Sequence, residues 1–270
     1  MPDSPDFVAL KQRMKSTWMA GDFGQIARIN ERSAEEFVSR LGLRPGMRVL
    51  DIACGTGNQS IPAARTGADV TGLDLAPNLL EQARERAGKE NLTITFIEGD
   101  AEQLPFEAGH FDVVLSMFGA MFAPRPERVV SELLRVCRRN GLIAMGNWTP
   151  DDFVGESFLV TSRHVPPPPG LEPPVLWGKE SVVAERFGNR AQLQMKRQAM
   201  EFDFPYGPAK VVDLFRSYFG PTKMTFDRLD PAGQQALYDD LLNHWTKHNK
   251  ATDGRTLVHA EYLEVHARPN

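Results

Sequence analysis

Residues 47–53, MRVLDIA, form an apolar run that stops at a turn with two glycines one residue apart, CGTGN. A helical pattern, NQSIPAARTG (58–67), follows at once. Strand, tight turn and helix are the opening unit of a parallel sheet, because a parallel neighbour can pair only after a crossover. The unit recurs. DVTGLDL (69–75) leads into PNLLEQARERAGKE (77–90), with Pro77 suited to a first helical turn. LTITFIEGD (92–100) and FDVVLSMF (111–118) read as the third and fourth strands. PERVVSELLRVCRRNG (126–141) is predicted as an amphipathic helix that stops at Gly141, its apolar face carrying Val129, Val130, Leu133 and Val136. GLIAMGNW (141–148) is the fifth strand. Short β-rich runs alternating with helices predict an open α/β sheet covered on both faces.

The flanks are less regular. Residues 1–45 read as a helical segment, with Ser33 and Glu36 at the spacing of a capping box and a stop at Gly42. Beyond Trp148, TPDDFVGESFLVTSRHV (149–165) is predicted helical. PPPPGLEPP (166–174) is excluded from a helix by its prolines and suits a rigid loop or pocket wall. A short helix (179–188), a strand (192–204), helices at 209–220 and 230–250, and a last strand (255–269) complete the reading. The expected organisation is an N-terminal helical segment (1–45), an α/β core (46–148), and a C-terminal part (149–270) that completes the same domain.

Of the 270 residues, 41 % are hydrophobic and 24 % charged, and the net charge is -4. That balance offers no broad attraction to nucleic acid or to anionic lipid, so neither is expected as a partner. No apolar run approaches the length of a membrane span, and the first residues hold no apolar leader. The two cysteines, Cys54 and Cys137, lack metal-ligand spacing and are expected as free thiols in a reducing, cytoplasmic setting. A monomer or homodimer is expected.

In open α/β sheets a ligand sits beyond the carboxyl ends of the strands. Those ends carry Asp51, Ala53, Gly55, Gly57 and Asn58 on the first strand and turn, Asp74 and Leu75 on the second, and Asp100 and Ala101 on the third. Glycines let the backbone approach a ligand closely, and Asp74 stands where a carboxylate accepts ribose hydroxyls. Ser60 occupies the third small position of a dinucleotide turn, so the close helix packing that a pyrophosphate site uses is not encoded here. Asp51 puts a further carboxylate nearby and suits a cationic group better than a diphosphate. Asp100 is placed to take an exocyclic amine.

Taken in order, VLDIACGTGN, Asp74 with Leu75, EGDAEQLPF, FDVVLSMFGAMF and ELLRVCRRNGLIAMGNW resemble the class I S-adenosylmethionine-dependent methyltransferases, in particular the ubiquinone/menaquinone-biosynthesis-type group acting on small molecules. The resemblance covers most of residues 45–148. It implies a Rossmann-like, doubly wound, seven-stranded sheet with an antiparallel last strand, bearing N-terminal helices and helical insertions. It also implies S-adenosyl-L-methionine as cofactor, bound by the core (46–148) with residues 1–45 closing over it, and a small-molecule methyl acceptor whose pocket residues 149–270 supply. The cofactor residues expected on this basis are Trp18, Asp51, Ala53, Gly55, Gly57, Asn58, Asp74, Leu75, Asp100, Ala101, Glu102 and Ser116. Asn140 stands where many relatives have glycine, a turn position that asparagine tolerates. A nicotinamide-dependent oxidoreductase and a non-catalytic S-adenosylmethionine-binding protein are the alternative classes.

Methyl transfer from a sulfonium relies on alignment and exclusion of water, with a base only where the acceptor loses a proton. Phe118, Met121, Phe122, Trp148, His164 and Trp177 are the candidates for the acceptor side, with Trp148 and His164 the candidates for a direct catalytic part. His244 and His248 share a helix face at i, i+4 without the glutamate of a zincin motif, so no metal role is expected of them.

Overall fold

The computed structural model describes residues 6–270; residues 1–5, the start of the stretch read above for a leader, lie outside the described residues. One seven-stranded sheet, ordered β3-β2-β1-β4-β5-β7-β6, organises the chain. Its strands are β1 (Arg48–Ile52), β2 (Asp69–Asp74), β3 (Thr95–Glu98), β4 (Phe111–Met117), β5 (Cys137–Trp148), β6 (Ala191–Phe204) and β7 (Thr256–Pro269). The first five pair in parallel. β7 runs antiparallel to both β5 and β6 and lies between them, so the C-terminal third completes the sheet begun by the core. The expected fold class is the one observed.

Burial explains the order. β1 and β4 sit mid-sheet and are buried almost throughout, as strands covered on both faces must be. β6 is one of the two edge strands, with β3 the other; its middle is largely open to solvent, while Ala191 at its start and Met200, Phe202 and Phe204 at its end are buried. Crossover helices α4 (Ser60–Arg65), α5 (Pro77–Lys89) and α6 (Pro126–Val136) link the parallel strands, and α6 buries Val129, Val130, Leu133 and Val136 as its sequence pattern predicts. The N-terminal helices are α1 (Phe7–Met19), α2 (Phe23–Ala27) and α3 (Glu31–Ser39). The C-terminal part adds α7 (Phe153–His164), α8 (Glu180–Phe187), α9 (Pro208–Tyr218), α10 (Gly220–Asp227) and α11 (Pro231–His248).

Three expectations are corrected. The capping box at Ser33 does not form: α3 starts at Glu31, continuing a 3-10 turn at Arg28–Asn30, which puts Ser33 inside the helix. α6 ends at Val136 rather than at Gly141. The residues Cys137–Asn140 open β5 instead, through an irregularity that lets Cys137 pair Phe111 and Leu142 pair Val113, with Asn140 at φ 57° taking up the turn. Between β6 and β7 stand three helices where two were predicted; the segment after Phe219 forms α10, with Pro221 in its first turn.

No helix among the described residues is long and apolar enough to cross a membrane. Cys54 and Cys137 are free and buried.

Candidate active site

A cleft with about 1010 Å³ of free space, part of it open to solvent, lies over the carboxyl ends of β1, β2 and β4. Its floor is the turn after β1. Ala53 (φ 54°) and Gly55 (φ 53°) both take left-handed backbone conformations there, and so does Phe118 (φ 57°), on the opposite wall just after β4. Left-handed geometry costs alanine and phenylalanine energy that only the surrounding structure can offset, and such residues gather at functional sites. Gly119 fixes how closely these two walls meet: a Cβ there would lie 2.6 Å from the Ala53 Cβ and 2.7 Å from its carbonyl oxygen.

Asp74 ends β2 as a buried carboxylate on the cleft wall. Its Oδ2 accepts from the Gly55 amide and its Oδ1 from the Ala76 amide, each at 2.8 Å. Burial raises its pKa, and the backbone hydrogen bonds oppose that rise. Each oxygen keeps acceptor capacity for a hydroxyl entering the cleft. Leu75 lines the cleft beside it.

Asp51 lies beneath the turn and does not line the cleft. Its Oδ2 accepts from the Ser60 hydroxyl at 2.5 Å, whereas its Oδ1 is buried with no hydrogen-bond partner. Burial pushes its pKa up to about 7, with Asp74 adding to the rise and the Ser60 hydroxyl opposing it. The Cys54 thiol, in the same turn, is held well above its ordinary pKa by burial and by these two carboxylates, so it stays a thiol and packs rather than attacks. Gly57 (φ 84°) shapes the turn with its amide donating to the Cys54 carbonyl at 2.9 Å, and it too stands behind the lining.

The third wall comes from the loop after β3. Asp100 and Ala101 line the cleft, and Asp100 Oδ2 accepts from Lys11 Nζ of α1 at 2.5 Å. The Glu102 side chain is fully buried and turned away: Arg125 binds it through Nε and Nη2, and Lys11 Nζ lies 2.5 Å from its Oε2. It ties α1 to the loop before α6, so its side-chain oxygens are committed to the scaffold. Ser116 is likewise structural, donating to the Ile52 carbonyl and accepting from the Ala120 amide. Asn58 both lines the cleft and braces it, donating to the Ala27 carbonyl at 2.7 Å and accepting from Arg86 at 2.6 Å.

An aromatic group roofs the cleft. Trp18 packs edge-on against Phe23, Phe122 and Phe219 at 5.8, 5.2 and 5.9 Å between ring centroids. Trp18, Phe23, Phe118 and Phe122 all line the free space.

Four candidates for the acceptor side stand elsewhere. Met121 is buried under the loop. Trp148 lies behind the wall, stacked on Phe118 at 3.7 Å, so it supports that strained residue without lining the cleft. Trp177 is 1 % exposed in the core, with the Arg186 guanidinium over its ring at 4.4 Å. His164 closes α7 and pairs with Asp240 at 2.8 Å. Exposed pairs of this kind contribute little, so His164→Gln is expected to leave kcat/KM unchanged and stability within about 1 kcal/mol in urea unfolding; a hundredfold loss of rate would restore it as a base. Residues missed by sequence reasoning include Lys11, Met14 and Asn30 from the N-terminal segment and Gly119 after β4. α1 has a weak apolar pattern, and nothing local says which face meets the sheet.

Comparison with known proteins agrees with the geometry. Residues 50–145 match the methyltransferase domain family. An uncharacterised protein of Mycobacterium tuberculosis (strain H37Rv) is 43 % identical over 211 residues, 77 % of each chain. The demethylmenaquinone methyltransferase of Renibacterium salmoninarum is 37 % identical over 116 residues, 43 % of this chain and 47 % of that one. Among solved structures, the YcgJ protein of Bacillus subtilis shares the fold with a TM-score of 0.60, covering 88 % of this chain and 99 % of that one at 17 % identity. The chain belongs to the class I S-adenosylmethionine-dependent methyltransferases. Its class of activity is S-adenosylmethionine-dependent methyl transfer.

Proposed function

We propose that the cleft holds S-adenosyl-L-methionine along the ends of β1–β3 and passes its methyl group to a small, partly apolar acceptor beneath the aromatic roof. One observation carries this reading: Asp74, anchored by the Gly55 and Ala76 amides, faces the same cleft as the left-handed Ala53–Gly55 turn and Asp100. In it, Asp74 accepts the ribose hydroxyls, Leu75 and Ala101 pack the adenine, and Asp100 takes its amine. Ala53, Gly55 and Asn58 border the methionine end, and Trp18 covers the ligand. Asp51, Gly57, Glu102 and Ser116 act through the turn and loops they hold.

Transfer is an in-line displacement. The acceptor's electron pair forms the bond to the methyl carbon as the carbon–sulfur bond breaks. Sulfur keeps that electron pair and leaves as S-adenosylhomocysteine, while any proton on the acceptor passes to water. Among the described residues lining the cleft there is no histidine, and the walls near Phe118 and Phe122 are apolar. Alignment and shielding from water therefore supply the rate, and the acceptor is of a kind that reacts without a strong base. Those apolar walls favour a small molecule over a nucleic acid, and the chain works as a monomer or homodimer in the cytoplasm.

Calorimetric titration with S-adenosylmethionine, S-adenosylhomocysteine and NAD tests the cofactor. Binding of both adenosyl ligands is expected; NAD binding without them overturns the reading. The acceptor is found by screening small molecules for S-adenosylhomocysteine release. In the same titration, Trp18→Ala is expected to raise the cofactor Kd about 3- to 10-fold, the worth of an aromatic contact. An unchanged Kd removes Trp18 from the site.

A further inference from the structure

α7 and α11 pack side by side and bring three metal-ligating side chains together away from the cleft. His248 Nε2 lies 2.9 Å from Glu156 Oε2, and His244 Nδ1 lies 3.8 Å from the same oxygen. Among the described residues, this is the group whose three ligand atoms all fall within 4.8 Å of one another. The two histidines are one helical turn apart on α11, and the carboxylate comes from α7, a pairing that no local motif encodes.

The tautomer of His244 can be read from its partners. Its Nε2 lies 3.0 Å from the Phe153 carbonyl oxygen and 2.8 Å from the Ser157 hydroxyl. A carbonyl only accepts, so Nε2 carries the hydrogen. The Ser157 hydroxyl donates to that same carbonyl, leaving its oxygen free to accept from Nε2 as well. Nδ1 of the neutral ring is then a bare lone pair. Its nearest carboxylate oxygen, at 3.8 Å, accepts nothing from it. A histidine whose far nitrogen donates to a backbone carbonyl, leaving the near one as a lone pair, is the arrangement that orients metal ligands. His244 is 5 % exposed and its ring stacks on Phe153 at 4.6 Å, so this orientation is held by packing.

We infer that Glu156, His244 and His248 form a binding site for a divalent transition-metal ion of the zinc type, clipping α7 to α11. Two nitrogens and one carboxylate oxygen suit zinc, with ligand bonds of about 2.0–2.2 Å and water in the fourth position. Drawing three atoms onto a shared ion needs His244 Nδ1 and Glu156 to approach by a small side-chain movement. Glu156 and His248 are partly exposed, which leaves room for the movement and for the water. Lys247 Nζ lies 3.6 Å from Glu156 Oε2, but its side chain is 66 % exposed and free to turn into solvent. None of the three ligands lines the cleft, so the ion is a structural clip and takes no part in methyl transfer. It does steady a helix whose Phe158 packs on the cleft residue Phe122 at 6.0 Å.

Untagged protein, stripped with chelator and dialysed, is titrated with Zn²⁺ and with Co²⁺ as separate probes. The expected results are one equivalent of tightly held Zn²⁺, a rise in Tm of about 5 °C at a hundredfold excess over Kd, and visible Co²⁺ absorption of four-coordinate strength. Glu156→Gln and His248→Gln, both at partly exposed positions, are expected to keep the Tm of the stripped protein and to lose at least about tenfold in affinity. Absence of stoichiometric Zn²⁺ and of the Co²⁺ band in the unmodified protein overturns the proposal without any variant. Binding at full strength in both variants overturns it equally.

Discussion

Asp74→Ala is expected to weaken S-adenosylmethionine binding by roughly 10- to 100-fold or more. A charged acceptor is worth about 1.5–3 kcal/mol per hydrogen bond, and in the proposed pose Asp74 meets the ribose while holding the turn. Its two oxygens accept from the Gly55 and Ala76 amides, so alanine also leaves two buried donors unsatisfied. The Gly55 amide then has no reason to keep the left-handed turn against the ligand. Asp74→Asn separates these two parts. It preserves one oxygen for a backbone donor but presents an amide to the other, so its loss should fall below that of alanine and its Tm closer to the parent. Calorimetry with S-adenosylhomocysteine gives the affinities and a thermal melt gives the stabilities. Parent-like affinity in Asp74→Ala would move the ribose to another wall.

Some parts of this molecule were legible from sequence because they are written locally. A β-rich run before glycines, an aspartate ending each of the next two runs, and Pro77 at a helix start are all short-range statements. They located β1 to β5 and put Ala53, Gly55, Asn58, Asp74, Leu75, Asp100 and Ala101 on the wall of one cleft. What escaped depends on distant partners. The Ser33 capping pattern is real as a pattern, yet Asn58 and Arg86 grip the chain just before it, at Ala27 and Glu31, and the helix begins earlier. Trp148 ends β5 and Trp177 lies in the 3-10 turn Pro174–Gly178, but position along the chain does not say whether an aromatic faces a cleft or the core behind it. Lys11 reaches Asp100 across 89 positions of sequence, and no periodicity records that contact. The carboxylate that joins His244 and His248 is hidden in the same way, since Glu156 reaches His248 across 92 positions, on another helix.

Asp51 should make the free protein lose stability as pH rises from about 4 to about 7. Its carboxyl is buried beneath the turn, with Ser60 donating to one oxygen, none donating to the other, and Asp74 and the Cys54 thiol close by. Burial pushes its pKa from 3.8 up to about 7. Between those values the folded chain holds a proton that the unfolded chain has released, and stability falls with pH wherever the folded state binds more protons. At 1.36 kcal/mol per pH unit the gap amounts to about 4 kcal/mol at most, fully present below the unfolded pKa and lost as pH passes about 7. Glu264, Asp112 and Glu132 have lowered pKa values and tilt the profile the other way at lower pH. The difference between the parent and Asp51→Asn removes their contribution. Asparagine cannot ionise, so urea midpoints of the variant should overtake those of the parent between pH 5 and about 8, with no excess below pH 4. On the proposed placement of the cofactor's cationic methionine end above this turn, the parent should also bind S-adenosylhomocysteine more tightly as pH rises through about 7, and the variant should not. Parallel stability profiles for the two proteins would mean that Asp51 is ionised in the free fold, and that its unpartnered oxygen is satisfied by a charge or a water beneath the turn.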